Sequence, residues 1–254
     1  MLAKERVADS TLRTHLRQIR HAMSDSFDDS ALANPVWSCL TTRHAHLAQG
    51  GRFAVRYPSD ISPLCGMPAG ATGNIEALQA LVAVDDNVAV AGPQIPDLPA
   101  NWETLHRIRV VQMIRRDTAL LKVGDADVSL LSAADVDDML ALVELTRPGP
   151  FRQRTIELGA FLGVREHGRL LAMAGERMWI GDHREVSGVC THPDIQGRGL
   201  ARALTGRVIN RMLRAGQTPI LHVEAANERA IAMYHGLGFV RLREFPLIYA
   251  KRTR

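Results

Sequence analysis

The sequence predicts an α/β protein in two parts, in which strands and helices follow one another along the whole chain. Three observations lead to this prediction. Strand-like and helix-like hydrophobic patterns alternate, short glycine turns at 167–169 and 181–183 join three apolar strands as successive hairpins, and an apolar stretch ending at Cys190 continues through a glycine turn into a long amphipathic helix. The composition, 46% hydrophobic and 23% charged, is ordinary for a globular protein of 254 residues.

The N-terminal part has an irregular α/β pattern. Leu12, Leu16 and Ile19 share one side of an amphipathic helix predicted at 11–23. Asn34 and Pro35 predict a helix start, as N-cap and first helical residue, with the helix running to about residue 48 before two glycines. The remaining predicted elements are strands at 52–57, 88–91 and 110–114, a helix at 74–83 and a helical turn at 102–108.

The second part begins near residues 115–127 and has a more regular order. Ser132 is the predicted N-cap of a helix at 133–146, which the Arg-Pro-Gly-Pro segment at 147–150 breaks. Gly216 and Asn227 are the predicted end and start of two later helices. The other predicted elements are strands at 128–130, 159–166, 170–180, 185–190 and 219–223, helices at 154–158 and 228–237, and a closing hairpin of strands 240–243 and 247–250.

The turn between the strand ending at Cys190 and the long helix has the features of an anion site. Gly197 and Gly199 lack a Cβ, so an anion can approach the backbone closely. The first N–H groups of the helix have no intrahelical acceptor and lie at the positive end of its dipole. Arg198 and Arg202 add formal charge. We therefore expect this turn to bind a phosphate.

Two motifs identify the ligand class. The segment Gln196-Gly-Arg-Gly-Leu-Ala201 matches Gln/Arg-x-x-Gly-x-Gly/Ala, while the P-loop and dinucleotide-binding patterns are absent from the sequence. The segment 227–239 matches Asn-x-x-Ala-x-x-x-Tyr-x-x-x-Gly-Phe. Both motifs, within the matching order of elements from about residue 127, resemble the GCN5-related N-acetyltransferase (GNAT) superfamily. The segments 34–37 and 146–151 resemble its FR47-like branch.

The resemblance implies the GNAT fold, with a mixed, mostly antiparallel central sheet flanked by helices, and a smaller α/β domain before it. Residues 121–254 would form the acetyltransferase domain. Residues 1–120 would have an unknown role, with a degenerate acetyltransferase-like half as one interpretation. The co-substrate would be acetyl-CoA, with no metal. The implied cofactor-binding residues are Val189, Cys190, Thr191, Gln196, Gly197, Arg198, Gly199, Leu200, Ala201, Arg202 and Asn227.

The resemblance also assigns catalytic roles. Tyr234 would protonate the departing thiolate, and a phenol stays neutral at working pH; the alternative is a core tyrosine with a satisfied hydroxyl. Glu185, eleven residues before Gln196, would be the general base, directly or through a water; the alternative is an exposed carboxylate paired with Arg184 or Arg177. Glu224 is the reserve base. For Cys190, a small buried residue is favoured over an acyl-cysteine nucleophile.

We therefore expect an N-acetyltransferase that moves an acetyl group from acetyl-CoA to a primary amine by direct, sequential transfer. The acceptor, a small amine or a peptide amine, would enter beside the 147–152 loop and the hairpin near Phe245. Arg147 and Arg152 suggest an acceptor with a carboxylate, although solvated loop arginines are commoner. The alternative function is a non-catalytic acyl-CoA-binding or sensing module.

Charge and cysteine content exclude several other classes. The net charge is +4 without a basic run, so no nucleic-acid partner is expected. Three cysteines without metal-ligand spacing argue against a disulfide framework and a zinc site. No apolar run approaches the roughly 20 residues that cross a bilayer, and no secretory signal pattern is present, so a cytoplasmic protein without a membrane partner is expected. A homodimer remains open.

Overall fold

The computed structural model describes residues 29–124 and 127–254. The chain divides into two compact units, Met1–Ala33 and Asn34–Arg254. Of the first unit the described part is a short 3₁₀ helix, Ser30–Ala33, and the helix predicted at 11–23 lies outside the described residues. The second unit contains the helices and strands that follow.

The helices of this unit pack on one large sheet. The α-helices are α1 (Pro35–Leu40), α2 (Asn74–Leu81), α3 (Val136–Thr146), α4 (Leu200–Arg214) and α5 (Glu228–His235). The strands are β1 (Gln49–Gly50), β2 (Val55–Arg56), β3 (Leu64–Gly66), β4 (Asn87–Ala91), β5 (Trp102–Ile114), β6 (Ser129–Leu131), β7 (Phe161–Glu166), β8 (Arg169–Ile180), β9 (His183–Thr191), β10 (Thr218–Glu224) and β11 (Val240–Arg252). Their order in the sheet is β1-β2-β3-β4-β11-β5-β10-β9-β8-β7-β6.

The sheet is mixed and mostly antiparallel, which confirms the predicted fold class. Its parallel pairs are β3 with β4 and β9 with β10. A parallel pair needs a crossover connection, and here α2 and α4 supply it. The two halves of the sheet therefore repeat one arrangement, a hairpin followed by a strand, a crossover helix and a parallel strand.

The two halves exchange their last strands. Strand β5 lies between β10 and β11, and β11 in turn pairs with β4. Strands β10 and β11 are thus joined through β5, which comes from the N-terminal part of the chain. The predicted division at residue 120 stays a prediction, but a single sheet crosses it.

Two predictions near this exchange are wrong. The predicted helical turn at 102–108 is part of β5, because these residues pair with β11 from Trp102 opposite Arg252 onwards. The predicted hairpin at 240–250 is the continuous strand β11. Pro246 does not break that strand. It lies one residue before the pairing with β4 begins, so at this position only β5 pairs with β11. The other edge has no partner strand, and the missing N–H of proline therefore costs no hydrogen bond there.

Local signals at helix ends were more reliable. Ser132 caps the helical segment that continues into α3 in a capping box with Asp135, and the Asn227 side chain accepts the Ala230 N–H at the start of α5. Gly216 has φ +70°, as a residue just after a helix often does. Asn34 differs, because its side-chain amide donates to the Met67 carbonyl at 2.7 Å instead of capping α1, which ends at Leu40.

Different clusters of apolar side chains cover the two faces of the sheet. Leu204, Val208 and Met212 of α4 pack against Val186 and Leu221 on one face. On the other face a cluster of α3, β7, β8 and β9 residues surrounds Phe161. Among residues 29–124 and 127–254, no helix is long and apolar enough to span a membrane.

Candidate active site

A cleft opens in the sheet where β9 and β10 separate. The two strands pair from Thr218 opposite His183 to Leu221 opposite Val186, and no further. Beyond this point β9 continues beside β8 alone and β10 beside β5 alone. One backbone edge of β9, from residue 187 to 191, is therefore left for a ligand that pairs as an added strand does.

A β-bulge lies on β9 at this edge. Ser187 pairs with Gly175 and Cys190 with Met173, so Gly188 and Val189 together stand opposite a single residue of β8. Gly188 has φ +61°, and a Cβ there would lie 2.9 Å from the Phe161 ring. Glycine is thus required both by the backbone and by the ring. A bulge re-aims the neighbouring backbone groups, here beside the unpaired edge.

The turn predicted to bind phosphate has the expected conformation. Gly197 has φ +83° and Gly199 has φ +77°, and a Cβ at either position would have no atom within 4 Å. Gly199 precedes α4 without a side-chain cap. In the part of the chain that the structure describes, none of the six backbone N–H groups from Gly197 to Arg202 has an acceptor. They form an uncompensated row of donors in open space.

The side chains around the turn are engaged with the protein. Arg198 makes an ion pair with Glu166 at 2.6 Å, with about half of its side chain exposed. The Arg202 guanidinium donates to the Gly236 carbonyl at 2.6 Å, which ties the start of α4 to the end of α5. Gln196 is exposed. The anion site is therefore made by main-chain donors, with the two arginines held beside it.

The three β9 residues predicted to lie along the cofactor differ in their side chains. Val189 packs towards the α4 face and Cys190 towards the α3 face. Burial raises the pKa of the Cys190 thiol to about 11, so it is not an activated nucleophile. The Thr191 hydroxyl oxygen is buried without a hydrogen-bond partner among the described residues.

Tyr234 lies on α5 and is 9% exposed. Its ring packs edge-on against Phe239 at 6.0 Å. Burial raises its pKa to about 12, so the phenol is protonated at neutral pH. No hydrogen bond to its hydroxyl is found within residues 29–124 and 127–254, which leaves the hydroxyl for a ligand. Asn227, seven residues earlier, is exposed and uses its side-chain oxygen as the helix cap.

Glu185 differs most from its prediction, because it is fully buried. A second bulge, on β8, sets two residues opposite it. Arg177 donates to both carboxylate oxygens at 2.6 and 2.8 Å, and the Met178 N–H donates at 3.2 Å. Burial alone would raise the pKa of Glu185, but Arg177 and His222 hold it well below its usual range. Such a carboxylate is a poor direct acceptor of a proton from an amine.

His222 is the functional candidate that sequence reasoning missed. Its Nδ1 lies 2.7 Å from the Glu185 carboxylate and its Nε2 lies 2.9 Å from the Gln112 amide nitrogen. Its ring is 5.5 Å from that of Phe245. The available signal was a histidine inside the apolar run of β10.

The predicted entry side for the acceptor has a strand where a hairpin was expected. Phe245 belongs to the continuous strand β11 and not to a hairpin, and it lies beside His222 on the sheet face. Arg147 and Arg152 are exposed on the loop after α3, as is Glu224 at the end of β10. Among the described residues, no group of three or more His, Cys, Asp or Glu side chains is placed to hold a metal ion.

A family model and a solved structure are both similar to this chain. A model of the FR47-like protein family matches residues 161–245. The structure of a GNAT-family acetyltransferase from Novosphingobium aromaticivorans is 33% identical, with a TM-score of 0.80 over 88% of this chain and 99% of that one.

Two curated relatives match shorter stretches. A mycothiol acetyltransferase from Kocuria rhizophila is 45% identical over 22% of this chain and 19% of its own length. An L-amino acid N-acyltransferase from Escherichia coli is 29% identical over 41% of this chain and 63% of its own length. The chain therefore spans less than two thirds of the length of these curated relatives.

Proposed function

The chain belongs to the GNAT superfamily, in its FR47-like branch, and from this premise we propose that it transfers an acetyl group from acetyl-CoA directly to a primary amine. The observation that carries the proposal is the row of acceptor-free N–H groups from Gly197 to Arg202. It lies at the end of the strand whose edge is open for an extended ligand. Together they suit a molecule with a pyrophosphate and a polyamide arm.

The proposed cofactor contacts follow from this arrangement. The backbone of residues 196–202 would hold the pyrophosphate, and the main chain of Val189, Cys190 and Thr191 would pair with the pantetheine amides. A backbone N–H of Val189 or Cys190 would polarise the thioester carbonyl, since the bulge lies at this place. Asn227 contributes by fixing the start of α5, the helix that carries Tyr234.

Tyr234 would supply the proton that the departing thiolate needs. Its high pKa keeps the phenol protonated at neutral pH. Glu185 is the predicted general base. Because its carboxylate is buried and ion-paired with Arg177, we favour an indirect role in which Glu185 acts on the proton through a neighbouring group. The amine loses one proton, the thiolate gains one, and the products are an amide and free CoA.

The curated relatives and the loop arginines together suggest which acceptors to test. The E. coli relative named above is an L-amino acid N-acyltransferase, and other curated relatives are acetyltransferases for a ribosomal-protein alanine and for L-methionine sulfoximine. These names and the exposed loop arginines make amino acids and short alanine-starting peptides the first acceptors to screen. Release of the CoA thiol and the mass of the acetylated amine identify a substrate.

The matched test compares Tyr234→Phe with Tyr249→Phe, a half-buried tyrosine on β11 outside the proposed machinery. We expect Tyr234→Phe to lower kcat about 100-fold or more with little change in acetyl-CoA affinity, because only the proton donor is lost. Tyr249→Phe should stay close to wild type. Acetyl-CoA binding without turnover of any amine would favour the acyl-CoA-sensing alternative.

A further inference from the structure

His222 is the first residue of β10 beyond the last pair with β9. Leu221 pairs with Val186, and the strands separate from there. Leu221 and Val223 both pack on the α4 face, so the His222 side chain points to the opposite face. Val189 follows Val186 by three residues along β9, roughly 10 Å at the rise of a strand. His222 therefore lies at the closed end of the cleft, near the predicted thioester position.

The contacts of His222 fix its tautomer. Glu185 is ionised and can only accept, so the neutral imidazole donates through Nδ1–H. The acceptor lone pair of the ring is then on Nε2, which accepts the N–H of Gln112 at 2.9 Å. This nitrogen points to the β5 side, where the Phe245 ring lies and where the acceptor is predicted to enter.

The carboxylate beside His222 is shared with an arginine. Glu185 faces His222 from β9, and the Arg177 guanidinium of β8 lies on the same carboxylate oxygen as the His222 Nδ1, at 2.6 and 2.7 Å. The neighbours from β5 and β11, Gln112 and Phe245, carry no charge. An imidazolium formed here would have a carboxylate directly on its Nδ1–H, an arrangement that orients and stabilises a histidine base.

We propose that His222 takes the proton from the attacking amine, directly or through one water, and that Glu185 and Gln112 position its ring. The proposal rests on the acetyl-transfer function proposed above. The amine nitrogen bonds to the acetyl carbon and loses its proton to Nε2. The carbon–sulfur bond breaks, and Tyr234 protonates the sulfur. Solvent then takes the proton from His222 and returns one to Tyr234. The Gln112 bond to Nε2 joins neutral groups, so an incoming N–H or O–H can replace it.

The kinetic test compares His222→Gln with Glu224→Gln, the exposed competing carboxylate, and with His46→Gln, an exposed histidine far along the chain. Turnover is measured with an amine found in the screen, and the pH profile with acetyl-CoA hydrolysis by water, because protonation of an amine acceptor would give an acid limb of its own. We expect His222→Gln to lower kcat about 100-fold or more and to abolish the acid limb of the kcat/KM profile, with an unchanged acetyl-CoA dissociation constant. Both other variants should keep the limb.

Nitrogen NMR of the imidazole rings, recorded on the protein bound to acetyl-CoA, shows directly which nitrogen of His222 carries the proton. The resonance missing in His222→Gln should show a protonated Nδ1 and an unprotonated Nε2. In Glu185→Gln this preference for the Nδ1–H tautomer should weaken, because an amide can donate as well as accept.

Three results would overturn the proposal: a resting proton on Nε2 of His222 instead of Nδ1, an acid limb that survives His222→Gln, or a limb that disappears in Glu224→Gln. If the wild type neither binds nor turns over acetyl-CoA, the proposed function fails as well. Turnover that His222→Gln leaves intact defeats this inference alone.

Discussion

A substitution at Gly188 tests the geometry of the cleft through its effect on the free energy of unfolding. Its φ of +61° is unfavourable for any residue with a Cβ, by about 1–2 kcal/mol. A Cβ would also lie 2.9 Å from Cε1 of Phe161, a ring that is 1% exposed and cannot move aside freely. Overpacking of this kind costs about 1–3 kcal/mol. We therefore expect Gly188→Ala to reduce the free energy of unfolding by about 2–5 kcal/mol.

Gly181→Ala is the matched control for this substitution. Gly181 lies in the turn between β8 and β9 with φ +55°, and a Cβ there would meet no atom within 4 Å. It should lose only the backbone contribution of about 1–2 kcal/mol. Urea unfolding of both variants gives the difference, which is the contribution of the Phe161 contact.

Phe161→Leu provides a double-mutant cycle. Combined with Gly188→Ala it should recover most of the overpacking cost and none of the backbone cost, so the two substitutions should not be additive. If Gly188→Ala is no less stable than Gly181→Ala, the packing described around the bulge is wrong.

Two other predictions concern the buried ion pair and the strand exchange. Glu185→Gln leaves the Arg177 charge buried without its carboxylate and should cost about 3–5 kcal/mol in urea unfolding. Because the pKa of Glu185 is lowered in the folded state, the pair's contribution to the free energy of unfolding is complete above the ordinary glutamate pKa and declines as the pH falls towards the folded value. The variant should lack this acid-dependent loss. An unchanged pH dependence of stability would contradict the pairing. The fragment 121–254 lacks β5, which lies between β10 and β11 in the sheet. We therefore expect its NMR spectrum to lack native dispersion unless residues 1–120 are supplied. A fragment that folds by itself would show that the strand exchange is dispensable.

Local chemistry accounts for what could be predicted from the sequence. The turn at 196–202 depends on two glycines and the helix that follows, all within a few residues, and its conformation was predictable. The same holds for the capping residues Ser132 and Asn227. The general order of elements from residue 127 also follows from short-range hydrophobic periodicity.

The missed features depend on contacts between distant residues. Strand β5 forms because it pairs with β11, well over a hundred positions later in the chain, and no local pattern contains that information. His222 gains its partners from Glu185, 37 residues away, and Gln112, 110 residues away. The pairing of Glu185 with Arg177 was among the predicted alternatives, but its complete burial depends on how neighbouring strands assemble. The catalytic and cofactor-binding assignments remain predictions.

The most direct measurement of the central claim is a calorimetric titration with acetyl-CoA. Gly199→Glu places a carboxylate among the free N–H groups, and Gly168→Glu is its control, with a nearly equal φ of +79° and equally open space in the β7–β8 turn. We predict micromolar binding to the wild type and to Gly168→Glu, and its loss in Gly199→Glu. Equal binding by all three proteins, or none by the wild type, would contradict a cofactor site at this turn.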